Sequence, residues 1–163
     1  GTAGVEAALS SVVAPDGKIL ILDNGAYGRR AETIIQAYGI PHQTYRIGWG
    51  EYPDVAEIES IFQQDRELTH FAFVHHETTT GMLNPLPELL ELCQKYEVDS
   101  IVDAMSSYAG LPIDLQELPI DYLISSQPEM FVCKEQNHHA LSLHTRLKIL
   151  LDCCYEQIHF VQL

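Results

Sequence analysis

Down the first part of this chain, segments with apolar residues at helical spacing alternate with short runs that are apolar at every position, and that alternation leaves few folds open. Residues 3–13 read as a helix closed by Pro15-Asp16-Gly17, and 18–22 (Lys-Ile-Leu-Ile-Leu) as a short strand. Ala31, Ile34, Ile35 and Tyr38 give 29–38 a helical face, with Gly39 placed as its C-terminal cap. A strand is predicted over 44–47, then a helix opened by Pro53-Asp54 with Val55, Ile58, Ile61 and Phe62 on one side. Strand 71–74, helix 86–96 and strands 100–102 and 122–124 follow. A half-exposed strand alternates apolar with polar residues; these do not, so both of their faces are covered. The predicted architecture is α/β, a three-layer sandwich built on a mostly parallel sheet.

Such sheets bind ligands beyond the carboxyl ends of their strands. Asp23-Asn24-Gly25, the stretch from His75 to Gly81, Asp103 and Ser125-Ser126 all fall on that edge. The alternation stops at Ser126. All 10 glycines and 7 of the 8 prolines lie in 1–126, as do 19 acidic and six basic residues. Residues 127–163 hold no glycine, three of the four cysteines and four of the eight histidines. The chain is therefore divided into a layered domain, 1–126, and an atypical tail, 127–163, that is no separate domain.

A net charge of −14 repels phosphate backbones and acidic lipid headgroups, so nucleic acid and membrane surfaces are not expected partners. No apolar run approaches the roughly 20 residues of a membrane span. The opening Gly1-Thr2-Ala3-Gly4 has neither a Met nor a basic leader and is expected to be the start of a fragment. Cys93, Cys133, Cys153 and Cys154 make no disulfide framework and no CxxC pair, which points to a reducing, cytoplasmic compartment.

Four stretches in series are more specific. Gly1-Thr2-Ala3-Gly4-Val5-Glu6-Ala7-Ala8, Asn24-Gly25-Ala26-Tyr27-Gly28-Arg29, His76-Glu77-Thr78-Thr79-Thr80-Gly81-Met82-Leu83-Asn84-Pro85 and Val102-Asp103-Ala104-Met105-Ser106-Ser107 resemble the class V pyridoxal-phosphate aminotransferases, in order and through Ser126. The resemblance implies part of a fold-type I large domain and pyridoxal 5'-phosphate as cofactor, which this chain alone is expected to bind weakly or not at all. It also implies a small-molecule amino donor and a 2-oxo acid as substrates, and a homodimer. It is strongest to the members that convert 2-aminoethylphosphonate and pyruvate into phosphonoacetaldehyde and L-alanine. Alanine:glyoxylate and serine:pyruvate transamination are the near alternatives, and an inactive chain serving only as a binding partner is the reading from a different class.

Each implied cofactor residue has a chemical reason. A pyridine nitrogen stays protonated only beside a carboxylate, and Asp103 at a strand end is the candidate, although a capping Asp would look the same. A flat, electron-poor ring stacks on an aromatic, which the resemblance assigns to Tyr27; Tyr27 as core filler is the plain alternative. Met105 would pack near the opposite face of the ring or simply in the core. Gly1 and Thr2 match the family's phosphate grip at a helix start, without the serine that precedes it in the family. Thr79 is chosen from the Thr78-Thr79-Thr80 cluster as the hydroxyl that reaches the cofactor. His75 and His76 are neighbours on a strand and point to opposite faces, one buried and one exposed.

The Schiff-base lysine of the family is absent. Glu129 stands near its expected position, Lys134 and Lys148 lie outside the motif, and no catalytic residue is assigned. The family's small domain is expected to be missing too. A change of reading frame or of splicing at Ser126 would explain so abrupt an end. Leu141, Leu143, Leu147, Leu150, Leu151 and Tyr155 give the tail partial helical spacing. Cys133, His138, His139, His144, Cys153 and Cys154 are ligand types for zinc, but their spacing fits no established pattern, so no metal is expected.

Overall fold

The computed structural model describes residues 2–108, 110–125 and 148–151. Gly1, Ser126, Glu129, Lys134, Leu141, Leu143, Leu147, Tyr155 and the seven Cys and His residues of the tail lie outside them.

Six strands form one parallel sheet: β1 (Lys18–Asp23), β2 (His42–Arg46), β3 (Leu68–Val74), β6 (Asp99–Asp103), β7 (Tyr122–Ser125) and β8 (Lys148–Leu151), in the order β2-β1-β3-β6-β7-β8. A hairpin of β4 (His76–Glu77) and β5 (Met82–Leu83) stands outside it. The helices are α1 (Thr2–Val12), α2 (Ala26–Ala37), α3 (Val55–Gln64) and α4 (Leu86–Tyr96).

Alternate residues of β1, β3, β6 and β7 feed two separate cores. Ile19 and Ile21 of β1, Ala72, Ile101 and Ile124 pack with Ala8 and Leu9 of α1 and Ile35 of α2. Leu20 and Leu22, Phe71 and Phe73, Val102 and Leu123 pack on the other face with Ile58 and Phe62 of α3 and Leu89 and Leu90 of α4. Phe62 meets Phe71 edge to face at 5.7 Å. A continuously apolar strand is thus a strand with two buried faces, and each such Leu, Ile or Phe contributes about 1.5–3 kcal/mol. The three layers and the parallel sheet are those read from the sequence.

Three local features differ from the sequence reading. Helix α2 starts at Ala26, three residues before Arg29, because Gly25 is an extended N-cap and the Glu77 carboxylate receives the Tyr27 N–H. The Thr-rich stretch forms a hairpin, pairing His76 with Leu83 and Glu77 with Met82. Within the predicted tail helix, the described residues Lys148–Leu151 instead form β8, paired with β7. Their run of Ile149-Leu150-Leu151 suits a ladder, and β7 would otherwise present an unpaired edge.

Strand β1 pairs with β2 on one side and β3 on the other, so the chain runs outward in opposite directions from that point. This switch places the carboxyl ends of β1, β3 and β6, ending in Asp23, Val74 and Asp103, around one opening.

Candidate functional site

A cleft of about 280 Å³ lies at that opening. Val74 and Asp103 line it from the strand ends, Val5 from the first turns of α1, and Tyr27 and Arg30 from α2. His76, Thr78, Met105 and Ser106 complete the wall.

Asp103 is carried there by β6, whose Ile101 and Val102 are buried on opposite faces of the sheet. Its Oδ1 accepts the Met105 N–H at 3.0 Å. Burial pushes the carboxyl above its ordinary range and Glu77 adds to this. The Met105 N–H, the chain's α-amino group and Arg30 pull the other way. A cationic ring nitrogen placed beside it would favour the ionised form.

Tyr27 is the second residue of α2 and remains 42% exposed. Helix α2 can lie this close to β1 because residue 28 is glycine: a Cβ there would overlap the Leu22 carbonyl oxygen. Met105 follows Asp103 by two residues on the turn that leaves β6.

The threonines divide their work. The Thr79 hydroxyl donates to Glu77 Oε1 at 2.5 Å and accepts the Ala26 N–H at 3.2 Å, so it is held at the start of α2. Thr78, rather than Thr79, lines the cleft. Glu77 is fully buried and also accepts the N–H groups of Tyr27 (3.0 Å) and Thr79 (3.2 Å).

His75 is buried, its Nδ1 2.9 Å from Ser107 Oγ, and burial followed by neighbouring His76 holds its pKa down. His76 is half-buried and reaches the cleft, with its carbonyl receiving the Ser106 hydroxyl at 2.7 Å. Behind the cleft, Asn24 donates to Asn84, which donates to the Val74 carbonyl. Buried Asp23 accepts from Arg46 at 2.7 Å and Arg29 at 3.2 Å.

The structure therefore brings Tyr27, Asp103 and Met105 to one cleft, with Thr2 beginning the helix that borders it. Arg30 was not singled out from the sequence, and His76 and Thr78 were named there without a site role. Arg30 was accessible to that reading, since it follows Tyr27 by three positions and shares its helix face. No lysine lines the cleft among the described residues. Lys18 binds Asp65 at 2.6 Å and Lys95 binds Glu59 at 2.5 Å. Lys148 begins β8 in register with Tyr122, at the sheet edge opposite Asp103.

A carboxyl, an aromatic ring, a hydroxyl and the apolar side chains of Val5, Val74 and Met105 are a donor set that fits a flat heteroaromatic cofactor with a basic ring nitrogen. The fold around it is that of the pyridoxal-phosphate transferases of fold type I. The sequence profile of the family Aminotransferase class-V matches residues 1–131, and the chain belongs to that family.

A 2-aminoethylphosphonate–pyruvate transaminase of Klebsiella pneumoniae subsp. pneumoniae is 52% identical over 126 residues, 77% of this chain and 34% of that protein. The alanine–glyoxylate aminotransferase of Nostoc sp. superposes with a TM-score of 0.68 at 33% identity, covering 74% of this chain and 32% of that one. The ureidoglycine–glyoxylate aminotransferase of Bacillus subtilis superposes with a TM-score of 0.71 at 31% identity, covering 77% and 32%. This chain spans about a third of the length of the curated relatives it matches. Among the described residues, no helix is long and apolar enough to cross a membrane.

Proposed function

We propose that residues 1–126 form the ring-binding part of a transaminase site. It belongs to a protein that moves the amino group of 2-aminoethylphosphonate to pyruvate, giving phosphonoacetaldehyde and L-alanine. The observation that carries the ring-binding reading is Asp103 and Tyr27 lining one cleft at the switch point of the sheet. The choice of amino donor is supported by the 52% identity to the Klebsiella relative.

When bound, pyridoxal phosphate supplies an electron sink for the charge left on a substrate carbon that gives up its proton. Asp103 would hold the proton on the ring nitrogen by remaining ionised beside it. The Tyr27 ring would stack on one face, while Met105 and Val74 keep water from the other side. Thr78 offers a hydroxyl, and the start of α1, where Thr2 stands, offers the phosphate N–H groups and a helix dipole, with Gly1 assigned to the same grip by the resemblance. By resemblance, Glu129 occupies the position of the family lysine. A carboxylate cannot condense with the cofactor aldehyde, so the chain is expected to bind the cofactor noncovalently and to turn over negligibly alone.

A cytoplasmic setting fits Cys93, a buried free thiol that burial pushes up and leaves inert. A homodimer is the assembly we adopt from the family.

The test is equilibrium binding of pyridoxal phosphate, with borohydride treatment and a transamination assay alongside. The reading predicts saturable binding lost in Asp103→Asn, no borohydride-fixed adduct and no alanine formed. Undiminished binding in Asp103→Asn would remove the cofactor from this cleft. A stoichiometric adduct with turnover would remove the claim that the chain lacks its lysine.

A further inference from the structure

The Glu77 carboxylate is unlike every other acid in the described chain: it is fully buried, it has no cationic partner in its hydrogen bonds, and it receives three donors at one helix start. Tyr27 N–H donates to Oε2, while the Thr79 N–H and hydroxyl donate to Oε1. Its Cγ and Cδ lie where a side chain on Gly25 would have to go, so the carboxylate is pressed against the α2 N-cap. Gly25 offers no side-chain cap of its own. The positive end of a helix and its unpaired N–H groups stabilise a buried anion, and here the anion comes from β4, an element distant in sequence.

Resting on the cofactor-site reading above, we propose that Glu77 is a positioning residue for the Tyr27 ring. By clamping the Tyr27 N–H it fixes the first turn of α2, and so where the ring stands in the cleft that Asp103 also lines. The geometry explains why this helix needs no Ser, Thr, Asp or Asn at its N-cap: the capping group is supplied by the hairpin that also walls the cleft. Thr79 belongs to the same device, as the hydroxyl that orients Oε1 and accepts the Ala26 N–H.

The test uses the whole chain and two readouts. Native-state amide exchange should show Tyr27 exchanging about 10-fold faster in Glu77→Gln, on the scale of losing one charge-assisted hydrogen bond. Amides of Ile21 and Val102 in the central strands should be unchanged within about twofold. Thr79→Val, a milder change, should speed Tyr27 by a smaller factor and serves if Glu77→Gln does not fold. Pyridoxal phosphate dissociation constants then form a double-mutant cycle. Glu77→Gln should weaken binding about 10-fold in the native background and less than about twofold in Tyr27→Ala.

Equal acceleration of Tyr27 and the strand amides would overturn the proposal, as would an unchanged Tyr27 amide or equal weakening in both backgrounds. If the native chain binds no pyridoxal phosphate, the cofactor reading fails, and the exchange data alone decide whether Glu77 holds Tyr27.

Discussion

Asp103 is under two opposed demands. Burial and nearby Glu77 favour its neutral form, yet a ring nitrogen can be kept cationic only by its charged form. Its pKa is raised in the folded chain, so the folded state holds the proton more tightly than the unfolded one. The stability this gives is present below the unfolded value near 3.8 and is lost as pH rises through the folded value. Asp103→Asn keeps the acceptor for the Met105 N–H and removes the charge. It should stabilise the chain at neutral pH by about 0.5–2 kcal/mol, read from the urea midpoint, while cofactor binding disappears. Arg30 is the cleft's guanidinium and pulls the Asp103 carboxyl back towards ionisation. Arg30→Gln should move the Asp103 titration, followed by the carboxyl carbon shift in NMR, to higher pH; an unmoved titration would remove Arg30 from the site.

At the scale of the element, helix α2 decides how wide the cleft is. Its first turn rests on the backbone of β1 because Gly28 has no Cβ. Gly28→Ala should push the helix outward and destabilise the chain by about 1–3 kcal/mol, the range of an overpacked contact, measured as a lower denaturant midpoint. Exposed Gln36, on the same helix and outside the cleft, should tolerate Ala far better. The body of this helix was legible because Ala31, Ile34 and Ile35 repeat at helical spacing. Its start was not, since the group that caps it is Glu77, 50 positions away in sequence. The same distance hid the difference between Thr78 and Thr79. Adjacent hydroxyls look alike in sequence, and only the fold turns one to the cleft and the other to Glu77 Oε1.

For the whole molecule, layers and parallel strands were readable because burial on both faces of a sheet removes the polar half of the strand pattern. The strand Lys148–Leu151 was missed because three apolar residues after a lysine carry no period of their own. Acid should weaken the fold through its buried imidazoles. Burial holds the pKa values of His70 and His75 below their ordinary value near 6.5, so the stability they give is complete above it and is lost as pH falls towards the folded values. His70→Asn should therefore lose less stability than the native chain between about pH 7.5 and pH 5.5, compared by urea unfolding at both.

The account rests on a pyridine ring fitting between Asp103 and Tyr27. Chemical-shift mapping of the labelled chain during titration with pyridoxal phosphate tests this residue by residue. The account predicts saturable shifts concentrated at Tyr27, Thr78, Asp103 and Met105, and their loss in Asp103→Asn. Shifts that gather elsewhere, or that persist unchanged without the Asp103 carboxylate, would contradict it.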